Sequence, residues 1–271
     1  MASAGDLKTT SLVESNRVFW DTNASTFFEQ DWLKVLTEQL AQFLRTQAPN
    51  LGLRPRDASN PVRLLDYACA SGGASWALAP FVDEILGIDV APAIVVRFNE
   101  CASRLGYEPS QAHAIVGDLT TDASLAAPES FDAAIISLAL HHLDDPPDML
   151  VRLTERLKPG GVLIAVEGVD VNEQPAAWDV QGAEHSHAHG AHHDTHAGHQ
   201  HDVLKTTNHH VFGEAIFRKW FADAGCDDGK FVYIVNNEVS HVPEKVTGRP
   251  GGLKRKLVIA AATKSIRLAD L

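Results

Sequence analysis

Arg63-Leu-Leu-Asp-Tyr-Ala-Cys-Ala-Ser-Gly-Gly-Ala-Ser-Trp-Ala-Leu-Ala-Pro80, continued by Phe81-Val-Asp-Glu-Ile-Leu-Gly-Ile-Asp-Val90, decides how the chain is read. A short apolar run, Val62 to Leu65, ends in an acid, Asp66. Small residues follow from Ala68 to Gly73, then an apolar stretch of helical character, Ala74 to Phe81. A second strand-like run, Ile85 to Ile88, ends in a second acid, Asp89. A strand–turn–helix–strand unit with acids at both strand ends is the kind that holds a nucleoside at the carboxyl ends of parallel strands.

The rhythm continues outward. Ala93 to Leu105 reads as a helix closed by Gly106, and Gln111 to Val116 as a third strand ending in Gly117-Asp118-Leu119. A short helix is expected over Asp122 to Ala127. Phe131 to Leu140 is apolar enough for a parallel strand buried on both faces. Pro146 to Lys158 has helical period and is stopped by Pro159-Gly160-Gly161 before a fifth strand, Val162 to Val166. Towards the end come a helix (Val211 to Ala224, with Phe212, Ile216, Trp220 and Phe221 on one side, capped by Gly225), a strand (Phe231 to Val235), a loop (His241 to Gly252) and a last strand (Leu257 to Ala262). Alternating strands and helices predict a doubly wound, mostly parallel sheet.

The flanks differ. Met1 to Val13 reads as a flexible leader and Arg17 to Gln47 as one or two helices, with capping side chains at Asp21-Thr22-Asn23. Leu33, Leu36, Leu40, Phe43 and Leu44 form an apolar face at spacings of mostly three and four. Asn50 to Pro61 reads as a linker. The expected division is a leader and helical lid over 1–60 and one α/β domain over 61–271, interrupted by an insertion over 168–208. The core of that insertion, His185 to His201, is rich in histidine among small and polar residues. It cannot bury a core and reads as a flexible loop that binds metal adventitiously rather than as a metal site.

The formal charge of −12 argues against a phosphate-backbone partner, since Lys254 to Lys256 is the one short basic patch. Three scattered cysteines suggest neither a disulfide framework nor a metal cluster, and read as reduced thiols of a cytoplasmic protein. No stretch has the roughly 18 apolar residues of a membrane span. A dinucleotide site wants G-x-G-x-x-G facing a pyrophosphate. Ala68 and Ala70 stand in its first two glycine places, which disfavours a nicotinamide-dependent oxidoreductase.

The order acid, any, small, any, small, any, Gly in Asp66, Ala68, Ala70 and Gly72 resembles motif I of the class I methyltransferases that use S-adenosylmethionine. Leu157-Lys158-Pro159-Gly160-Gly161 resembles the turn before that family's fifth strand. Within the family the chain is most similar to the small-molecule type, such as the methyltransferase domain of ubiquinone and menaquinone biosynthesis. The resemblance implies a Rossmann-like sheet of seven strands with an antiparallel last strand, S-adenosylmethionine as cofactor and a small-molecule substrate. It also implies that Arg17 to Phe28 closes over the cofactor, with Trp20 in contact. The family usually has glycine at the Ala70 place, so the alanine is a departure.

On that resemblance the turn Asp66, Ala68, Ala70, Gly72 lies against the methionine part of the cofactor. Asp89, with Val90, would accept both ribose hydroxyls; read alone, Asp89 also suits a helix N-cap. Asp118 and Leu119 would meet adenine; read alone, Asp118 suits a turn. Ser137 and Leu138 end the fourth strand at the substrate edge, followed by His141 and His142. A neutral imidazole there could take a proton from the attacking group; each ring could equally serve packing alone. Asp144-Asp145 would orient an imidazole or cap the next helix. Methyl transfer to O, N or S of a small molecule follows as the expected activity. The alternative is a cofactor-binding subunit without catalysis.

Overall fold

The computed structural model describes residues 11–57, 59–171, 206–207 and 212–266. The histidine-rich stretch His185 to His201 and the pair His209-His210 lie outside the described residues. The elements are α1 (Leu12–Phe27), α2 (Asp31–Gln47), β1 (Arg63–Tyr67), α3 (Gly73–Leu78), β2 (Glu84–Asp89), α4 (Pro92–Arg104), β3 (Ala112–Val116), β4 (Phe131–Ser137), α5 (Pro146–Arg156), β5 (Leu157–Asp170), α6 (Glu214–Asp223), β6 (Val232–Val242), α7 (Glu244–Thr247) and β7 (Leu253–Thr263). The strands form one sheet in the order β3-β2-β1-β4-β5-β7-β6. β1 to β5 are parallel, and β7 lies antiparallel between β5 and β6.

Alternation along each strand divides the core. Leu64, Ile135, Ile164 and Ile259 face α2, α3 and α4, while Leu65, Ile136, Leu163 and Val258 face α5 and α6. With both faces covered, the central strands have to be apolar throughout, as their sequences are. The strand order reverses between β1 and β4, and a crevice opens there at the carboxyl ends of the strands.

Several boundaries differ from the sequence reading. The first helix starts at Leu12, inside the expected leader, and Ser11 caps it by accepting from the Glu14 amide. Asp21, Thr22 and Asn23 are helical and cap nothing in α1. Thr22 and Asn23 bond back to Val18 and Phe19 carbonyls, while Asp21 accepts from the Ala93 amide at the start of α4. β4 stops at Ser137, three residues short of Leu140. α5 stops at Arg156 rather than Lys158, because Pro159 drives the residue before it out of the helical region. Leu157 is already extended and pairs with Phe131.

Later elements also shift. β5 runs on to Asp170, so 168–170 belong to the sheet and not to the insertion. β6 continues to Val242 past an irregularity between Val235 and Val239 that broke its apolar pattern, and α7 occupies part of the expected loop. On α6 the buried residues are Phe217 and Phe221, with Phe212 ahead of the helix; Ile216 and Trp220 are half-buried.

α1 crosses the crevice and is tied down on both sides. Its Asp21 holds α4, and its first amides, Leu12 and Val13, donate to Asp144. Trp20 and Phe28 pack on Ala91 and Ile94, while Phe19 and Phe27 pack with Val242, Val246 and Leu253.

Candidate active site

A cavity of about 380 Å³ lies under α1, at the carboxyl ends of β1, β2 and β4. Its size is in the range of small-molecule sites, about 300–1,000 Å³. Its wall includes Trp20, Asp66, Ala68, Ala70, Asp89, Val90, Ser137, Leu138, His141 and His142. Ten of the sequence-derived candidates therefore meet in one space.

The β1–α3 turn is shaped by left-handed backbone. Ala68 and Ala70 have φ of 55° and 48°, and Gly72 has φ of 84°. The turn thus keeps the conformation glycine would give, with alanine at two of the three places. Such a φ costs an L-residue about 1–2 kcal/mol. Ala70→Gly is expected to raise stability by up to about 1 kcal/mol, the relief exceeding glycine's entropy cost. Gly72 admits no such exchange in reverse. A Cβ there would stand 2.3 Å from Trp76 Nε1, on an indole whose N–H donates to the Ser71 carbonyl. Gly72→Ala is expected to destabilise by at least about 2 kcal/mol. Thermal melts of the two variants check both signs.

Asp89 stands at the end of β2, 8% exposed, and its two oxygens accept from the Ala70 and Ala91 amides. The helix-cap reading and the ligand reading are compatible here, because each oxygen keeps lone pairs for a further donor. Burial raises its pKa to about 6. Asp66 accepts from the Ser75 hydroxyl at 2.6 Å, and burial raises it to about 7, with Asp89 adding to the shift.

Three expected contacts lie off the cavity wall. Gly72 is covered by Trp76. Asp118 gives one oxygen to the Tyr67 hydroxyl and Thr120 amide and the other to the Thr120 hydroxyl. Leu119 is fully buried in the core on the α5 side. Tyr67, which does line the cavity, is the link between it and Asp118.

The two histidines are held differently. His141 Nδ1 lies 2.8 Å from Glu167 Oε2, while Glu167 Oε1 accepts from the Leu140 and His141 amides. Glu167 is 1% exposed, at the carboxyl end of β5's parallel segment. It is the residue that orients the imidazole. Asp145 instead caps α5, and Asp144 binds α1. His142 Nδ1 lies 2.8 Å from the Thr206 carbonyl. Its pKa is held well below the ordinary histidine value by burial, and then by His141. Both Nδ1 atoms face acceptors, so in each neutral ring Nδ1 carries the hydrogen and Nε2 carries the lone pair. The rings are 4.2 Å apart, and Trp20 meets His142 edge-on at 6.1 Å.

Asn16, Glu167, Thr206 and Arg255 were not singled out from the sequence. Glu167 had a signal, being an acid at a strand end like Asp66 and Asp89. Asn16 and Thr206 had none, since the bond between them joins residues 190 apart in the chain. Three buried polar atoms without partners, Asn16 Oδ1, Ser137 Oγ and Arg255 Nε, belong to residues of the cavity wall. Orphan groups gathered around one cavity mark a place for a polar ligand.

Residues 65–163 match the family described as a methyltransferase domain. That stretch, from β1 into β5, is a methyltransferase domain. Over 134 residues it is 33% identical to the ubiquinone biosynthesis O-methyltransferase of Cereibacter sphaeroides, covering 48% of this chain and 52% of that protein. Over 107 residues it is 33% identical to an uncharacterized methyltransferase of Schizosaccharomyces pombe, covering 38% of each. The chain thus spans about half, or less, of the length of these relatives. The magnesium protoporphyrin IX methyltransferase of Synechocystis, solved with S-adenosylmethionine bound, superimposes with a TM-score of 0.58 at 16% identity, covering 95% of this chain and 99% of that one. That likeness is one of fold.

The wall fits S-adenosylmethionine, the compound bound in the Synechocystis structure. Asp89 offers free lone pairs to vicinal hydroxyls, Ser137 an unpartnered hydroxyl, and the two acids a negative field for a sulfonium and an ammonium. Among the described residues no group of three or more His, Cys, Asp or Glu could hold a metal, and no helix is long and apolar enough to cross a membrane.

Proposed function

We propose that this chain transfers a methyl group from S-adenosylmethionine to a heteroatom, oxygen foremost, of a small molecule. The observation that carries the reading is the His141–Glu167 pair on the wall of the same cavity as Asp89. The bound cofactor supplies the electrophilic methyl group. Asp89 binds the ribose, the Ala68–Ala70 turn and Val90 line its path, and Leu138 and Ser137 border the reacting region. Trp20 and α1 exclude water. His141 Nε2 takes the proton of the acceptor, and Glu167 stabilises the imidazolium that forms. His142, kept neutral by burial, supplies a second bare Nε2 beside it. Asp118 acts through Tyr67, and Leu119 through packing. The relative named as an O-methyltransferase supports oxygen as the accepting atom. Three free cysteines, two of them buried, support a cytoplasmic setting.

The test is calorimetric titration with S-adenosylhomocysteine and with NAD, followed by methyl-labelled S-adenosylmethionine and a panel of phenols, amines and thiols. Binding of the first alone, with label reaching a phenol, is expected. Binding without any transfer would favour a non-catalytic partner subunit; binding of NAD instead would remove the reading altogether.

A further inference from the structure

Part of the cavity wall is made by α2 and the β6–β7 hairpin, through Leu36, Leu40, Val242, Val246 and Leu253. Among the described residues of the wall, Arg255 is the single arginine or lysine. Arg255 stands on β7, in register with Asp170 of β5 and Ser240 of β6. Its side chain lies across Gly168. A Cβ at Gly168 would come within 2.5 Å of Arg255 Cδ and 3.1 Å of Nη1, so the missing side chain is what lets the arginine lie there.

The guanidinium makes no hydrogen bond or ion pair with a described residue, and its Nε is buried without a partner. The cross-strand acid, Asp170, pairs with Arg249 instead, at 3.4 Å. A guanidinium with a buried, unpartnered Nε carries a cost, and an incoming anion relieves it. Its planar fork of donors matches a carboxylate in two parallel bonds.

We propose that Arg255 is the anion-binding residue of the acceptor subsite, so that the methyl acceptor is a largely apolar molecule bearing an ionised carboxylate. Identifying the ligand as the acceptor rests on the methyl-transfer reading; the preference for an anion rests on the cavity alone. The position adds a constraint. Gly168, over which the arginine lies, follows Glu167, the partner of His141, and both rings line the same cavity, so the anion sits towards the imidazole pair. The atom to be methylated therefore lies a few bonds from the carboxylate.

The probes are benzoate, cinnamate and octanoate with their matched primary amides, titrated at pH 7.5 with and without saturating S-adenosylhomocysteine. The unaltered protein is expected to bind the acids at least about tenfold tighter than the amides, the worth of one charge-assisted pair. Arg255→Leu should erase that preference, and Arg255→Lys should keep part of it. Equal binding of acids and amides by the unaltered protein would overturn the proposal whatever the variants do. So would a protein that holds S-adenosylhomocysteine and takes up no acid, or a preference that survives in Arg255→Leu. Failure to bind S-adenosylhomocysteine counts against the methyl-transfer reading instead, and the comparison made without it still decides the role of Arg255.

Discussion

Asp89→Asn is expected to weaken S-adenosylhomocysteine binding by about one to two decades, through loss of charged hydrogen bonds to two hydroxyls. The same variant is expected to lose less stability at pH 8 than at pH 5. Both effects come from one fact, the burial of the carboxylate. Burial holds Asp89 at about 6 and Asp66 at about 7, above the ordinary carboxylate value. For such a raised group the folded state binds the proton more tightly than the unfolded chain. Its stabilising contribution is complete below about pH 4 and is lost as pH rises through 6 and 7. The ligand-free protein therefore carries an electrostatic penalty at pH 8 that asparagine removes. At pH 5, where Asp89 is already protonated, that relief is absent and the loss of an acceptor for the Ala70 or Ala91 amide remains.

Binding has the reverse dependence, since the ionised carboxylate is the better acceptor for ribose. Affinity for S-adenosylmethionine should rise between pH 5.5 and 7.5, with release of protons on binding. Calorimetry in buffers of different ionisation enthalpy reads that release directly. Proton uptake, or an affinity flat across the range, would place Asp89 outside the cofactor contacts.

The order of strands and helices was legible because apolar runs alternated with helical periods and acids closed the strands. What the sequence could not show followed from contacts distant in the chain. Asp21-Thr22-Asn23 looks like a cap, but the helix begins ten residues earlier, at Leu12, and Asp21 serves α4. Asp118 follows β3 as the sequence suggested, and its bonds to Tyr67 and Thr120 could be found only in the fold. Ala70 reads as a departure from a glycine motif, while its φ of 48° shows the backbone kept and the side chain tolerated. Arg255 is invisible among Lys254 and Lys256, because only the bare backbone of Gly168 lets it lie over β5. In each case local pattern chose the element correctly, and the role of the side chain was set by a neighbour on another strand or helix.

Glu167→Gln is expected to lower kcat by about 10²–10⁴-fold with S-adenosylhomocysteine binding unchanged. Glu167 now accepts from the Leu140 and His141 amides through Oε1 and from His141 Nδ1–H through Oε2. Glutamine is nearly the same shape but has one acceptor and one donor end. Its oxygen is claimed by the two backbone amides, since turning the NH₂ towards them would set donors against donors. The NH₂ then faces Nδ1, which must become the acceptor. The hydrogen moves to Nε2, the nitrogen offered to the acceptor, and the ring can no longer take a proton there. A cavity-forming replacement would lose rate for less informative reasons, whereas this one alters the tautomer and little else. The pH profile separates the two. A parent rate that rises across the imidazole range and a variant rate that is low and flat there would identify His141 as the base. A variant that keeps the parent's kcat and profile would show that the methyl acceptor arrives already deprotonated, with the His141–Glu167 pair serving packing alone.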